Sequence, residues 1–185
     1  MSRQGFTSSD VAQIPPTSHT AVANTVTRTN LWVPALWTPI PAFDMQPGKA
    51  YQLRCGGVLS TTGTPTIVFN PTFGQSATPA SNLALGASTT TALGSALSGV
   101  PWYAEMVVGV RSLGIAASGS TITGNGVVVI GGVAAAVSQS FAIGGTVVAT
   151  ADHTTAQGLC LDVTWGTQSA SNTITCQWTL LASLN

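Results

Sequence analysis

Along most of the chain apolar residues recur at every second position, in short runs closed by Gly, Pro, Asn or Ser/Thr clusters. This is the period of strands half-buried in a sheet. In residues 49–55, Tyr51, Leu53 and Cys55 share one face and Arg54 turns away from it. Gly56-Gly57 then permits a bend or bulge before Val58-Leu59. Residues 61–65 form a turn and residues 66–73 the next strand, so this pair is expected to make a hairpin. The longest clear strand spans 100–113. It is followed by 121–130, interrupted by Gly124-Asn125-Gly126, and then by 140–149, 158–165 and 172–181. With one more near residues 24–33, about eight strands and no sustained helical period predict an all-β fold. The expected form is an antiparallel β-sandwich, an eight-stranded jelly roll on strand count. No internal repeat points to a propeller or solenoid.

Two segments break the pattern. Residues 1–46 carry Pro15, Pro16, Pro34, Pro39 and Pro41, which forbid continuous helix or central strand and favour an extended arm ahead of a sandwich domain at 47–185. Within the arm, Leu31, Trp32, Pro34, Leu36 and Trp37 form an apolar patch, the candidate interface. It either seals the domain's own core or lies on a neighbour. Residues 1–30 lack such content, and a partner is the expected reason for them to be ordered. Residues 74–99 are rich in Ala, Ser, Thr and Gly. They read as a surface loop with at most one helical turn.

Charge changes the picture most. Asp, Glu, Lys and Arg make up 5% of 185 residues and the formal net charge is zero, against about 25% charged in ordinary soluble domains. Interspersed charge and a net charge away from zero keep free monomers apart. Interfaces between proteins are depleted in Lys, Glu and Asp in the same way. A part of a larger assembly fits this; a secreted Ser/Thr-rich domain is the plainer alternative. Nucleic-acid binding needs a basic patch, which five scattered cations do not supply.

The hydrophobic content is 44% and the mean hydropathy +0.37, yet the longest apolar run, 127–137, is too short to span a bilayer and holds two central glycines. The first residues contain no apolar core of a secretory signal, so no membrane crossing by that route is expected. Cys55, Cys160 and Cys176 are odd in number and lack metal-ligand spacing. Cys160 and Cys176 flank an expected hairpin turn near Gln168. Pairing them would set Asp162 opposite Ile174, so buried reduced thiols are the better reading.

Four of the scarce charges, Arg54, Glu105, Arg111 and Asp162, fall inside expected strands. By alternation each lies opposite its strand's apolar face, where structural ion pairs could form. Trp102, Trp165 and Trp178 fall on apolar faces and are expected in the core. His19 and His153 have no ligand-spaced neighbours, and no nucleophile elbow, phosphate loop or zinc motif occurs. The reading is therefore of a non-enzyme without catalytic, cofactor or metal residues.

Residues 36–42 (LWTPIPA), 48–51 (GKAY), 56–66 (GGVLSTTGTPT), 97–105 (LSGVPWYAE) and 110–112 (VRS) together resemble virion structural proteins of tailed bacteriophages, of the capsid decoration or cement type. The resemblance implies a jelly-roll or related sandwich, trimeric, attached to the outside of a capsid. Its partners would be the major capsid protein and copies of itself, and its location the virion, assembled in the host cytoplasm. The alternative it leaves open is a tail component or receptor-binding module recognising a glycan. It brings no catalytic residues, no cofactor, and no nucleic-acid, membrane or small-molecule partner.

Overall fold

The computed structural model of the chain describes residues 10–13, 18–115, 119–131 and 138–184. Residues 1–9 and 14–17 of the segment expected to follow a partner, and 132–137 of the long apolar run, lie outside the described residues. In the N-terminal part come β1 (Asp10–Gln13), β2 (Val22–Ala23), β3 (Thr29–Asn30), one helical turn α1 (Pro34–Trp37) and β4 (Pro39–Ile40). Then follow β5 (Ala50–Ser60), β6 (Thr66–Phe73), a 3-10 turn (Pro79–Ser81), β7 (Leu83–Ala84) and β8 (Thr91–Ala92). The chain continues with β9 (Val100–Ser112), β10 (Ser120–Ile130), β11 (Gln139–Ala151), β12 (Gln157–Trp165) and β13 (Thr173–Leu184).

The strands form two antiparallel sheets packed as a sandwich, so the fold is all-β as expected. The larger sheet runs β1-β13-β5-β9-β10-β11, with β2 on the same edge of the sheet as β1; the smaller runs β3-β12-β6-β7, with β4 on β12 and β8 on β6. The jelly-roll order expected from strand count is not established by this topology, in which β9, β10 and β11 follow one another as a meander. The alternation is clean where it was legible: Val100, Trp102, Ala104, Met106, Val108 and Val110 of β9 are all buried, as are Tyr51, Leu53, Cys55 and Leu59 of β5. Across the core, Phe69 of β6 meets Phe141 of β11 edge-on, with ring centroids 5.4 Å apart.

Neither expected hairpin exists. Both edges of β5 are taken, by β13 and β9, so β6 crosses to the opposite sheet and pairs with β12. The loop after β12 crosses back in the same way. Alternation identifies a buried face but not the strand that pairs alongside it. Cys55, Cys160 and Cys176 are all buried and unbridged, in agreement with the sequence reading, although strand register between β12 and β13 plays no part in it. The 74–99 segment also differs from a plain surface loop. Leu85, Leu93 and Leu97 are buried in the core, and the segment runs along the edge of β6 that β12 leaves free, with the Leu85, Ser88 and Leu93 amides donating to the Pro71, Phe69 and Pro65 carbonyls.

The arm covers what the two sheets leave open. One edge of β12 pairs with β6. The other meets β3 at Asp162 and Val163, and β4 at Gln157 and Gly158. In the gap between, the Trp32 indole N–H (3.0 Å) and the Thr38 hydroxyl donate to the Leu159 carbonyl, and the Leu31 amide donates to the Leu161 carbonyl at 3.1 Å. The edge is thus sealed by segments far away in sequence. Gly158 is required here, because a Cβ on it would lie 2.7 Å from the Pro34 carbonyl of α1. Gly158→Ala should therefore overpack this contact and lower stability by about 1–3 kcal/mol. A thermal melt reads this as a Tm fall of roughly 2–4 °C per kcal/mol; an unchanged Tm would show that α1 is not seated on β12.

Candidate functional site

The five apolar arm residues divide. Leu31, Trp32 and Pro34 are buried in the chain's own sandwich, and Trp37 is half-buried against it. They are not a free interface, because the open edge of β12 needs them. Leu36 alone projects, with 64% of its surface exposed.

The four in-strand charges divide as well. Asp162 forms a structural ion pair, as expected, and is fully buried, since the arm covers the second side of β12. Its partner is Arg28, whose Nε and Nη2 donate to the same carboxylate oxygen at 3.0 and 2.9 Å. Thr72 adds a hydrogen bond at 3.4 Å. Burial pushes the Asp162 carboxyl above its usual range, and Arg28, Cys160 and Thr72 pull it part of the way back. Arg28 lies 134 positions from Asp162, so no spacing rule on β12 could have shown the pair. Arg111 is exposed at the end of β9 and takes part in none of the ion pairs found among the described residues.

Arg54 and Glu105 do come together, as neighbours across β5 and β9. Glu105 accepts hydrogen bonds from Tyr103 at 2.7 Å, Gln52 at 2.5 Å and Arg54 at 3.4 Å. The Tyr103 bond is the main reason the Glu105 carboxyl is held below its usual range; Arg54 and Gln52 add to it against partial burial. In return the Tyr103 hydroxyl is pushed up to about 12 by burial and by Glu105. The Arg54 Nε is buried without a hydrogen-bond partner.

This cluster occupies the middle of the larger sheet's outer face. Strand register sets three rows across it: Leu180, Arg54, Glu105, Val127 and Ala142; Trp178, Gly56, Tyr103, Val129 and Ser140; Ala182, Gln52, Val107, Asn125 and Gly144. Trp178 was expected in the core with Ile174 and Cys176. A bulge between Cys176 and Trp178 shifts the alternation by one and turns the indole to the outside. There it lies over Gly56, whose absent side chain leaves the room, with its centroid 6.0 Å from the Tyr103 ring. Val107 and Val127 are exposed at 38% and 36%. The face is thus aromatic and aliphatic, with one internally neutralised charge cluster at its centre. Gln52, Tyr103, Val107, Val127 and Trp178 were missed as site residues; the single available signal was that Tyr103 and Glu105 share a parity. Comparison with protein-family models, curated proteins and solved structures finds no match.

Removing Arg28 tests the buried pair. Asp162 binds its proton more tightly folded than unfolded, so its contribution to stability falls as pH rises above the ordinary carboxylate range. Arg28→Met removes a favourable partner of the charged form and raises that pKa further. The expected loss is about 3–5 kcal/mol near pH 7.5 and clearly less near pH 4.5, where the orphaned carboxyl takes up a proton. Denaturant melts at the two pH values check this, and equal losses would contradict it.

Proposed function

We propose that this chain is a structural virion protein, a capsid cement protein that binds the outside of a phage shell and bridges major capsid subunits. The observation that carries the reading is the larger sheet's outer face, which combines aromatic and aliphatic residues with almost no uncompensated charge. Cores of protein interfaces share this composition. The blocks that resemble phage virion proteins contribute the strands at its centre, since residues 48–51 and 56–66 enter β5 and 97–105 enters β9. Residues 18–46 are engaged with their own sandwich, so in this reading the sheet face rather than that segment contacts the shell. Self-association as a homotrimer, implied by the resemblance, would multiply these contacts.

A second reading, a tail or receptor-binding module, is favoured by one observation: a cleft beside Trp37 that holds an asparagine amide. Val107→Lys tests the first reading. The side chain is exposed, so stability should move by no more than about 0.5 kcal/mol. A charge buried without a partner in the docked face should lower occupancy on purified shells at least tenfold. Cosedimentation measures this, and undiminished occupancy would reject the sheet face as the contact.

A further inference from the structure

We propose that Phe43 of one chain seats in the cleft between the arm and the turn at residues 77–79 of a second copy, a head-to-tail contact between chains. The inference rests on the self-association in the proposed role and not on shell binding.

Phe43 is unusual in two respects. It stands third in the turn that the Asp44 amide closes onto the Pro41 carbonyl at 3.2 Å, and its φ is 61°. Glycine or asparagine suits that position, and a bulky side chain there is strained. The ring is also 64% exposed, so burial in its own fold does not offset the strain. Strain of this kind clusters where a residue serves recognition. The turn is nonetheless firmly held. The Phe43 amide donates to the His153 carbonyl at 2.8 Å, and its own carbonyl accepts from Gln46 Nε2 at 3.3 Å. Its ring meets the His153 ring edge-on, with centroids 6.4 Å apart, and Ser120 Oγ lies 2.9 Å from His153 Nδ1. An aromatic knob fixed in this way loses little freedom on docking.

The cleft supplies a matching hole. It holds about 480 Å³, and Phe43 takes no part in its walls. Its polar groups are already engaged or out of reach. Asp162 neutralises Arg28, and the Asn30 amide nitrogen donates to the Ser76 and Ala77 carbonyls at 3.2 and 2.9 Å. His19 Nε2 and Asn30 Oδ1 are buried away from any guest. What the cleft offers is mainly apolar: half-buried Trp37, Val33 and Pro79 and exposed Ala77, with threonines between them. Leu36, beside Trp37 on α1, adds exposed apolar surface. Such a cleft favours a hydrocarbon guest over a polar one, and an aromatic side chain brings about 150–250 Å² of area to remove from water.

The formal net charge of zero sets no repulsion between copies. Each chain carries one knob and one cleft at separate places, so the contact repeats from copy to copy and either closes a ring or extends.

Sedimentation velocity of the full chain, without shells and over a range of concentrations, tests this. The chain is expected to associate as concentration rises. Phe43→Gly removes the knob and relieves the positive φ. It should shift association to at least tenfold higher concentration without lowering Tm, measured where the chain is a single copy. Phe43→Asn, which also tolerates positive φ, carries the same expectation for association if the glycine variant folds poorly. Thr78→Arg blocks the cleft from an exposed side chain that makes no capping bond, and should weaken association equally. An equimolar mixture of the knob and cleft variants should form a pair, because one keeps an open cleft and the other keeps Phe43. A chain that stays a single copy overturns both the self-association and this contact. Association that ignores both variants, or a mixture that forms no pair, overturns the contact alone. Shell occupancy, measured separately with Val107→Lys, reports on the role on the shell and is independent of these outcomes.

Discussion

The edge of β12 organises this molecule. A strand of a two-sheet sandwich that keeps a free edge presents unpaired amides and carbonyls to the surroundings, a template for unwanted pairing. Here the N-terminal segment closes that edge in pieces. Two short strands pair at its ends, and an indole, a hydroxyl and a backbone amide fill the gap between them. The same crossing covers the second side of β12 and takes Asp162 out of water, which in turn requires Arg28. A carboxylate at that depth without its guanidinium is among the costlier faults a fold can carry. Arm, ion pair and strand therefore stand or fall as a unit.

Closing the edge with the arm leaves the outer face of the larger sheet as the broad surface available to a partner. Its composition matches that of protein-interface cores. The charges it contains are answered within the face, by Tyr103, Gln52 and Arg54 around Glu105. A docking partner would then displace water from apolar side chains without stripping hydration from many ions, which keeps the desolvation cost of association low. In the proposed role on a shell, many weak copies bound side by side suffice, and area matters less than the absence of repulsion.

Much of this was legible in the sequence. Period-two alternation located the main strands of both sheets, and the buried series from Val100 to Val110 follows it residue by residue. The pairing of Arg54 with Glu105 was within reach, because both lie opposite apolar faces. Partner choice between strands was not legible, since alternation says nothing about which edge is already occupied. The two expected hairpins failed for that reason. Trp178 was misplaced by one extra residue in β13, a bulge that no composition signal marks. Asp162 does form a structural ion pair, but its partner and its full burial were not legible, because both depend on Arg28 and Trp32, more than a hundred positions away.

Imaging shells decorated with the full chain, at a resolution that traces β5 and β9, tests the central claim most directly. The account predicts density in which the outer face around Tyr103, Glu105 and Val127 lies against capsid subunits while residues 28–40 remain on their own β12. A particle in which that face looks into solvent and the chain is held by the opposite side would contradict it.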